Sequence, residues 1–188
     1  MNYQLVLGVG NKARHGKDTF AEAIVDYYKD RLLTSSKHSW DVFTPKVQRI
    51  GFADALYEVA RNEYGMTTKD APLLQRIGAE RRQGNPNYWI GRAFAKIDPD
   101  SHIIIFPDTR YQNEADFIKN VGGFTVNVSR VNPDGTPFVA GDRPADHPSE
   151  IDLDGYNWDF YLKIKTGDVA LLAQQAITLV EYLRGLRN

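Results

Sequence analysis

The sequence predicts an α/β fold of three layers, a mainly parallel sheet with helices on both faces, and three observations carry this reading. Short β-branched runs alternate with longer helical patterns along the chain, as they do in successive βαβ units. The stretch His102-Ile-Ile-Ile-Phe106 is continuous, apolar and β-branched, as a strand covered on both faces should be. At 188 residues and 42% hydrophobic content the chain can bury one core without disulfides or a structural metal. Two full domains would be crowded at that length, so residues 1–188 are expected to form one domain with a mobile excursion.

Taken in order, Gln4 to Gly8 reads as a buried strand, and Phe20, Ala23, Ile24 and Tyr27 follow at helical spacing behind Asp18 and Thr19. Thr34 to Pro45 is polar and aperiodic, a loop. Lys46 to Phe52 reads as a second strand and Asp54 as the start of a helix carrying Leu56, Val59 and Ala60. Pro72 and Pro86 each suit the first turn of a helix, where a missing N–H costs nothing. After the strand at His102 comes a helix from about Asn113, stopped by Gly122-Gly123. Strands are expected over Phe124 to Arg130 and Phe160 to Lys165, and a last helix from near Asp168 with Val169, Leu172, Ala176, Val180 and Leu183 on one face. Residues 131–148 are rich in Pro, Gly and Asp with little periodicity. A loop this long inside a compact domain is usually functional, and a lid is expected there.

Composition excludes several classes. Lys plus Arg number 23 and Asp plus Glu 24, a net charge of -1, where a protein that grips duplex nucleic acid by its phosphates would carry a basic excess. There is no cysteine, hence no thiolate metal site and no cysteine nucleophile. The N-terminal residues lack the cationic flank and long apolar run of a signal peptide, and no stretch reaches the ~20 apolar residues of a membrane span. The expected compartment is the cytoplasm.

The strongest local signal is Gly10-Asn-Lys-Ala-Arg-His-Gly16-Lys17-Asp18-Thr19, directly after a strand and directly before a helix. Backbone N–H groups of such a loop, with the N-terminus of the following helix, form a concave anion site. Lys17 is placed to reach the terminal phosphates of a nucleotide. Against the pattern G-x-x-x-x-G-K-[ST], Asn11 stands where the first glycine belongs, with Gly10 one residue too early, and Asp18 replaces the Ser/Thr that contacts Mg²⁺. Asn tolerates left-handed backbone angles. A carboxylate can bind Mg²⁺ directly or through water. A second constellation, Pro107-Asp108-Thr109-Arg110, ends the strand at His102–Phe106, and ligands of parallel sheets sit beyond the carboxyl ends of the strands. An acid there suits Mg²⁺ or its water, and an arginine two residues on suits phosphate oxygens. Alone, the same residues would read as a helix cap and a solvated arginine.

Asn11-Lys-Ala-Arg-His-Gly-Lys-Asp-Thr19 resembles the phosphate loop of the deoxynucleoside monophosphate kinases of bacteriophages, in which Gly-Lys-Asp-Thr is common. Phe52-Ala-Asp54-Ala-Leu56 is similar to the segment after that family's second strand. Leu74-Gln75-Arg76-Ile-Gly78-Ala-Glu80-Arg81-Arg82, followed by Tyr88-Trp89, resembles its substrate-side helices. Asp108-Thr-Arg110-Tyr111-Gln-Asn113-Glu114 is close to its Asp-x-Arg-Phe/Tyr-x-Asn-Glu block, and His147-Pro-Ser149-Glu150 matches a block after its lid. The resemblance implies a P-loop NTPase fold of the nucleoside monophosphate kinase type, with ATP as donor, a deoxynucleoside monophosphate (dNMP) as acceptor, Mg²⁺ as cofactor, and a role in nucleotide supply for phage DNA synthesis. It places the substrate-side helices at about 54–98 and the lid at about 131–148. A homodimer is left open.

On that basis Asn11, Lys12, Ala13, Arg14, His15, Gly16, Lys17, Asp18 and Thr19 form the expected ATP site, with Asp18, Thr19 and Asp108 organising Mg²⁺. Lys17, Asp108 and Arg110, together with Arg130 and Arg143 flanking or lying on the lid, are the expected catalytic groups. Asp54, Gln75, Arg76, Glu80, Arg81, Trp89, Arg110, Glu114 and Glu150 are the expected acceptor residues. At most one of Arg81 and Arg82 should face the site. Tyr88 and Trp89 are either core or a stacking surface for the base, and Asp54 either caps its helix or faces the sugar. His147, without nucleophile and carboxylate partners, reads as a structural hydrogen-bonder rather than an acid–base group. Rival readings are a dephospho-coenzyme A kinase-like or phosphomevalonate kinase-like enzyme on the same fold, a nucleotide-binding switch, and an ATPase acting on nucleic acid. The switch lacks a guanine-reading Asn-Lys-x-Asp after a later strand, and the last lacks the basic excess.

Overall fold

A computed structural model describes residues 5–35, 44–141, 144 and 146–186. Five parallel strands, β1 (Leu5–Gly10), β2 (Val47–Arg49), β3 (Ile103–Thr109), β4 (Phe124–Val131) and β5 (Phe160–Lys165), form one sheet in the order β2-β3-β1-β4-β5. Each parallel step needs a crossover, supplied by helices α1 (Lys17–Ser35), α2 (Phe52–Tyr64), α3 (Ala71–Gly84), α4 (Tyr88–Phe94), α5 (Gln112–Asn120) and the short α6 (Pro148–Ile151), and α7 (Val169–Gly185) follows the last strand. This is an α/β architecture consistent with a P-loop NTPase-like fold. No helix among the described residues is long and apolar enough to cross a membrane.

Alternation along the central strands sets the layers. Leu5, Leu7 and Val9 of β1 and Ile103 and Ile105 of β3 face α1 and α7, packing on Phe20, Ile24, Leu172, Ala176, Val180 and Leu183. Val6, Ile104 and Phe106 face the other way, onto Phe52, Ile90, Ala93 and Ile118. A separate cluster of Ala55, Val59, Leu74, Ile77 and Trp89 joins α2, α3 and α4. Helices α2–α4 therefore have a small core of their own beside the main one.

Several boundaries differ from the expected ones. The second strand is only Val47–Arg49, and Phe52 opens α2 because Gly51, extended at φ -89°, serves as its N-cap. The strand at His102 runs on to Thr109. Its ladder with β1 shifts between Gly8, opposite Phe106, and Gly10, opposite Thr109, so β3 carries one extra residue around Pro107-Asp108. Proline in a central strand is tolerated at such a bulge, where no ladder hydrogen bond is asked of it. Pro72 lies in the first turn of α3 as expected, whereas Pro86 precedes the N-cap Asn87 of α4. α1 extends through Thr34 to Ser35, and residues 36–43 of the expected loop lie outside the described residues, as does Gln4. Val169 starts α7 but is 59% exposed, off the buried face.

Candidate active site

The Lys17 loop joins β1 to α1 at the carboxyl edge of the sheet, the ligand side of an open α/β sheet. Its path depends on three positive-φ residues, Asn11 (120°), Arg14 (59°) and Gly16 (96°). Asn11 takes the angle a glycine would, and its side chain adds what glycine lacks. Its Nδ2 donates to Asn127 Oδ1 and to the Val128 carbonyl, each at 3.1 Å, and its Oδ1 accepts the Lys12 N–H at 2.7 Å. The loop is thus pinned to β4. Gly10 is required for a different reason: a Cβ there would lie 2.1 Å from Trp158 and 2.8 Å from the Thr109 carbonyl. Trp158, which nothing in the sequence singled out, closes the underside of the site.

Lys17, Asp18 and Thr19 make the first turn of α1, where backbone N–H groups have no intrahelical acceptor and attract anions. The Lys17 side chain is 5% exposed and its ammonium donates to the Lys12 carbonyl. Burial, and next the nearby Arg110 guanidinium, pull its pKa down to about 7. A cation so poorly compensated is stabilised by any anion that arrives. His15 is also buried, and burial together with Lys17 lowers its pKa to about 4, so it is a neutral imidazole near pH 7. Its Nδ1 accepts the Arg130 N–H at 3.1 Å.

Among the described residues no cluster of three or more His, Asp or Glu side chains is placed to hold a metal ion. Asp18, 68% exposed, and the half-buried Thr19 are what the first turn offers a cation. That fits Mg²⁺ beside a nucleotide, which takes most of its ligands from phosphates and water. Asp18 is paired with Arg49 Nη2 at 2.9 Å, and Arg49 Nη1 lies 3.5 Å from Asp54. Arg49 has no motif to reveal it. Its available signal was position alone, the carboxyl end of a parallel strand.

Asp108 does something other than expected. The bulge of β3 aims it at the N-terminus of α2, where its two oxygens accept the N–H groups of Phe52 at 2.8 Å and Ala53 at 2.7 Å. Burial pushes its pKa up and these two bonds oppose that. In this arrangement Asp108 anchors the N-terminus of α2. Asp54 accepts the Gly51 N–H at 2.6 Å, which selects the capping reading for it. A Cβ on Gly51 would come within 3.0 Å of both carboxylates.

Arg110 follows directly. Its Nη1 lies 2.6 Å from Glu150 Oε1, and its backbone N–H donates to Glu114 Oε2 at 2.8 Å. Glu114 is buried, also accepts the Tyr111 N–H at 3.2 Å, and faces Arg82 Nη2 at 3.7 Å. Burial raises its pKa to about 7. Glu114 is therefore part of the framework of Arg110 rather than an exposed acceptor group. Of the arginine pair, Arg82 is the one turned inward, stacked 4.0 Å over the Tyr111 ring, while Arg81, the one expected at the site, is held by Glu63 at 2.8 Å. Gln75, Arg76 and Glu80 are exposed on α3. Trp89 is 2% exposed and donates its indole N–H to the Gly78 carbonyl at 3.3 Å; it is core, and its expected place against the base is withdrawn.

Arg130 sits behind the loop. Its guanidinium donates to the Arg14 carbonyl at 3.1 Å and to Thr166 Oγ1 at 3.0 Å, and it lies 3.5 Å over the Phe138 ring. These contacts make it a brace that ties the start of the 131–148 segment to the loop. Within that segment Val131 bridges Pro137, and Asn132 closes a turn on Thr136. Arg143 lies outside the described residues. His147 caps α6, accepting the Ser149 N–H at Nδ1, a structural role as expected. Glu150, 7% exposed, spans two parts of the site: besides Arg110 it accepts the Ala13 N–H of the Lys17 loop at 2.7 Å.

No family model matches the chain. A stretch of 74 residues is 35% identical to a protein of Acanthamoeba polyphaga mimivirus named "Putative deoxynucleotide monophosphate kinase". The match covers 39% of this chain and spans 30% of that relative's length, so the likeness is to one part of a longer protein.

Proposed function

We propose that this chain is an ATP-dependent deoxynucleoside monophosphate kinase that converts dNMP and ATP to dNDP and ADP, serving nucleotide supply in phage DNA synthesis. The observation that carries the phosphotransfer reading is the buried, under-compensated Lys17 in a positive-φ loop at a helix N-terminus, with Arg110 close enough to lower its pKa. The mimivirus relative's name and the Asp108–Glu114 and His147–Glu150 blocks support a dNMP as acceptor.

In this reading the loop amides and Lys17 hold the β- and γ-phosphates, and Asp18 and Thr19 are the residues that would hold Mg²⁺. When bound, that ion would neutralise phosphate charge. Arg110 and Arg82 draw in the acceptor phosphate. The γ-phosphoryl parts from its bridging oxygen, which leaves on ADP with the bonding electrons, and an α-phosphate oxygen of the dNMP forms the new P–O bond. The acceptor is already an anion, so no general base is required. The protein's work is to bring two anions into line.

A panel of the four dNMPs, their ribose counterparts, dephospho-coenzyme A and phosphomevalonate, assayed for ADP release with ATP and Mg²⁺, tests the proposal. Turnover with at least one dNMP above all other acceptors is expected. Inert dNMPs beside an active dephospho-coenzyme A or phosphomevalonate would hand the site to that rival.

A further inference from the structure

The kinase reading assigns the loop to one phosphate group and Arg110 to another, and a single buried side chain touches both. Glu150 reaches in from α6, where the chain returns from the 131–148 segment. Its Oε2 accepts the Ala13 N–H at 2.7 Å, and its Oε1 accepts from Arg110 Nη1 at 2.6 Å. The Ser149 carbonyl lies 3.5 Å from the same Nη1. Further along the same segment, Asp152 accepts the Gln112 N–H at 2.7 Å, just past Arg110, and Asp154 pairs with Lys12 at 3.2 Å. Residues 149–154 thus grip the phosphate loop at Lys12 and Ala13 and the β3–α5 junction at Arg110 and Gln112.

A carboxylate beside a phosphate site is electrostatically unfavourable unless it holds something in place. Glu150 is 7% exposed and both of its oxygens have a donor, so it is poorly placed to take a hydroxyl of a substrate. The geometry points to Glu150 as a positioning residue for phosphoryl transfer: it sets the distance between the donor loop and the acceptor arginine. This rests on the kinase reading above. Arg110 has five N–H donors in a rigid fork, so fixing Nη1 fixes the direction in which Nη2 and Nε point.

The test uses the full chain, with the non-hydrolysable analogue AMP-PNP titrated calorimetrically and dNMP kinetics measured with ATP and Mg²⁺. Glu150→Gln keeps the shape but has one acceptor oxygen where two are needed, so one of the two donors then faces an NH₂ group. It is expected to weaken AMP-PNP by about fivefold and to cut kcat/KM for the acceptor by about 10²-fold, in line with hydrogen bonds to charged groups. Arg110→Lys is expected to leave AMP-PNP within about twofold while losing acceptor kcat/KM by about 10²-fold, since Arg110 does not touch the loop. The double variant is expected to be little worse in acceptor kcat/KM than the worse single, because Glu150 acts on the acceptor through Arg110. If Glu150→Gln fails to fold, Glu150→Asp, a methylene shorter with its charge intact, carries the same measurements. An active wild type whose Glu150 variant has unchanged AMP-PNP affinity and acceptor kcat/KM, or a double variant whose losses add in full, overturns the role of residues 149–154 as a strap between loop and arginine and leaves the kinase reading standing. A wild type inert toward every dNMP overturns the kinase reading, and with it the acceptor half of the strap.

Discussion

In the proposed kinase reading, the donor and acceptor halves of the site are built from different materials. The phosphate loop of that reading is shaped by backbone angles at Asn11, Arg14 and Gly16, with Gly10 before it packed closely against Trp158. The acceptor half is made of long side chains: Arg110 on Glu150, Arg82 between Tyr111 and Glu114, and Gln75, Arg76 and Glu80 reaching into solvent from α3. Backbone recognition of phosphate constrains residue type at fixed spacing, so it leaves a motif. Recognition by side chains held from distant elements leaves none, because many placements of an arginine satisfy the same anion.

The largest effect is expected at Lys17, where the two halves meet. Lys17→Ala should lower kcat/KM by about 10³-fold or more, the scale for removing a positioned transition-state charge. Its thermal unfolding should remain cooperative, since the variant removes a buried cation rather than a packing group. Near-normal turnover would remove the donor half altogether. Arg110→Lys should cost about 10²-fold in kcat and leave ATP affinity almost unchanged, because the fork is lost while a charge remains beside Glu150. Equal losses in transfer and in ATP binding would dissolve the division between the halves.

Asp108 separates a structural from a chemical role. With both oxygens on the Phe52 and Ala53 amides, Asp108→Ala should destabilise the fold by about 1–3 kcal/mol, the cost of leaving such donors without an acceptor. Urea unfolding measures this. The Mg²⁺ concentration for half-maximal activity should shift little. The reverse pattern, intact stability with a much raised Mg²⁺ requirement, would return Asp108 to the metal.

Much of the fold was legible for the same reason as the loop. His102–Phe106 announced itself as a buried parallel strand because both faces are covered, Phe124–Arg130 read as a further strand, and Leu172, Ala176, Val180 and Leu183 kept one helical face. β2 was overestimated because Ile50 and Phe52 are apolar for the sake of the α2 side of the core, not of a ladder. The bulge at Pro107-Asp108 leaves no periodic trace, so the strand seemed to stop at Phe106 and Asp108 to point at ligand. Within the site, the loop and Arg110 could be read locally. Arg49 on Asp18, Glu150 on Ala13, and the inward turn of Arg82 rather than Arg81 depend on pairings 31 to 137 residues apart or on a few degrees of helix phase.

The smallest expected effect is one of pH, and it probes the donor half alone. The Lys17 pKa is lowered from its ordinary 10.5 to about 7 by burial first and Arg110 second. Because the folded value lies below the unfolded one, the cost of burying the ammonium is absent above pH 10.5. It grows as pH falls through that window and is complete below about 7. Bound phosphates favour the ammonium and raise its pKa again. Above about pH 8 the phosphates themselves, with a second pKa of about 6, are fully ionised and do not titrate. ATP binding there should take up close to one proton, and affinity should fall by up to about tenfold per pH unit as Lys17 in the free protein loses its charge. Calorimetry in two buffers of different ionisation enthalpy counts the proton. Lys17→Met, which removes the titrating group but keeps much of its volume, should abolish the uptake. Uptake that survives in Lys17→Met would place the titrating group elsewhere in the site, and the buried ammonium would no longer explain why this loop attracts an anion.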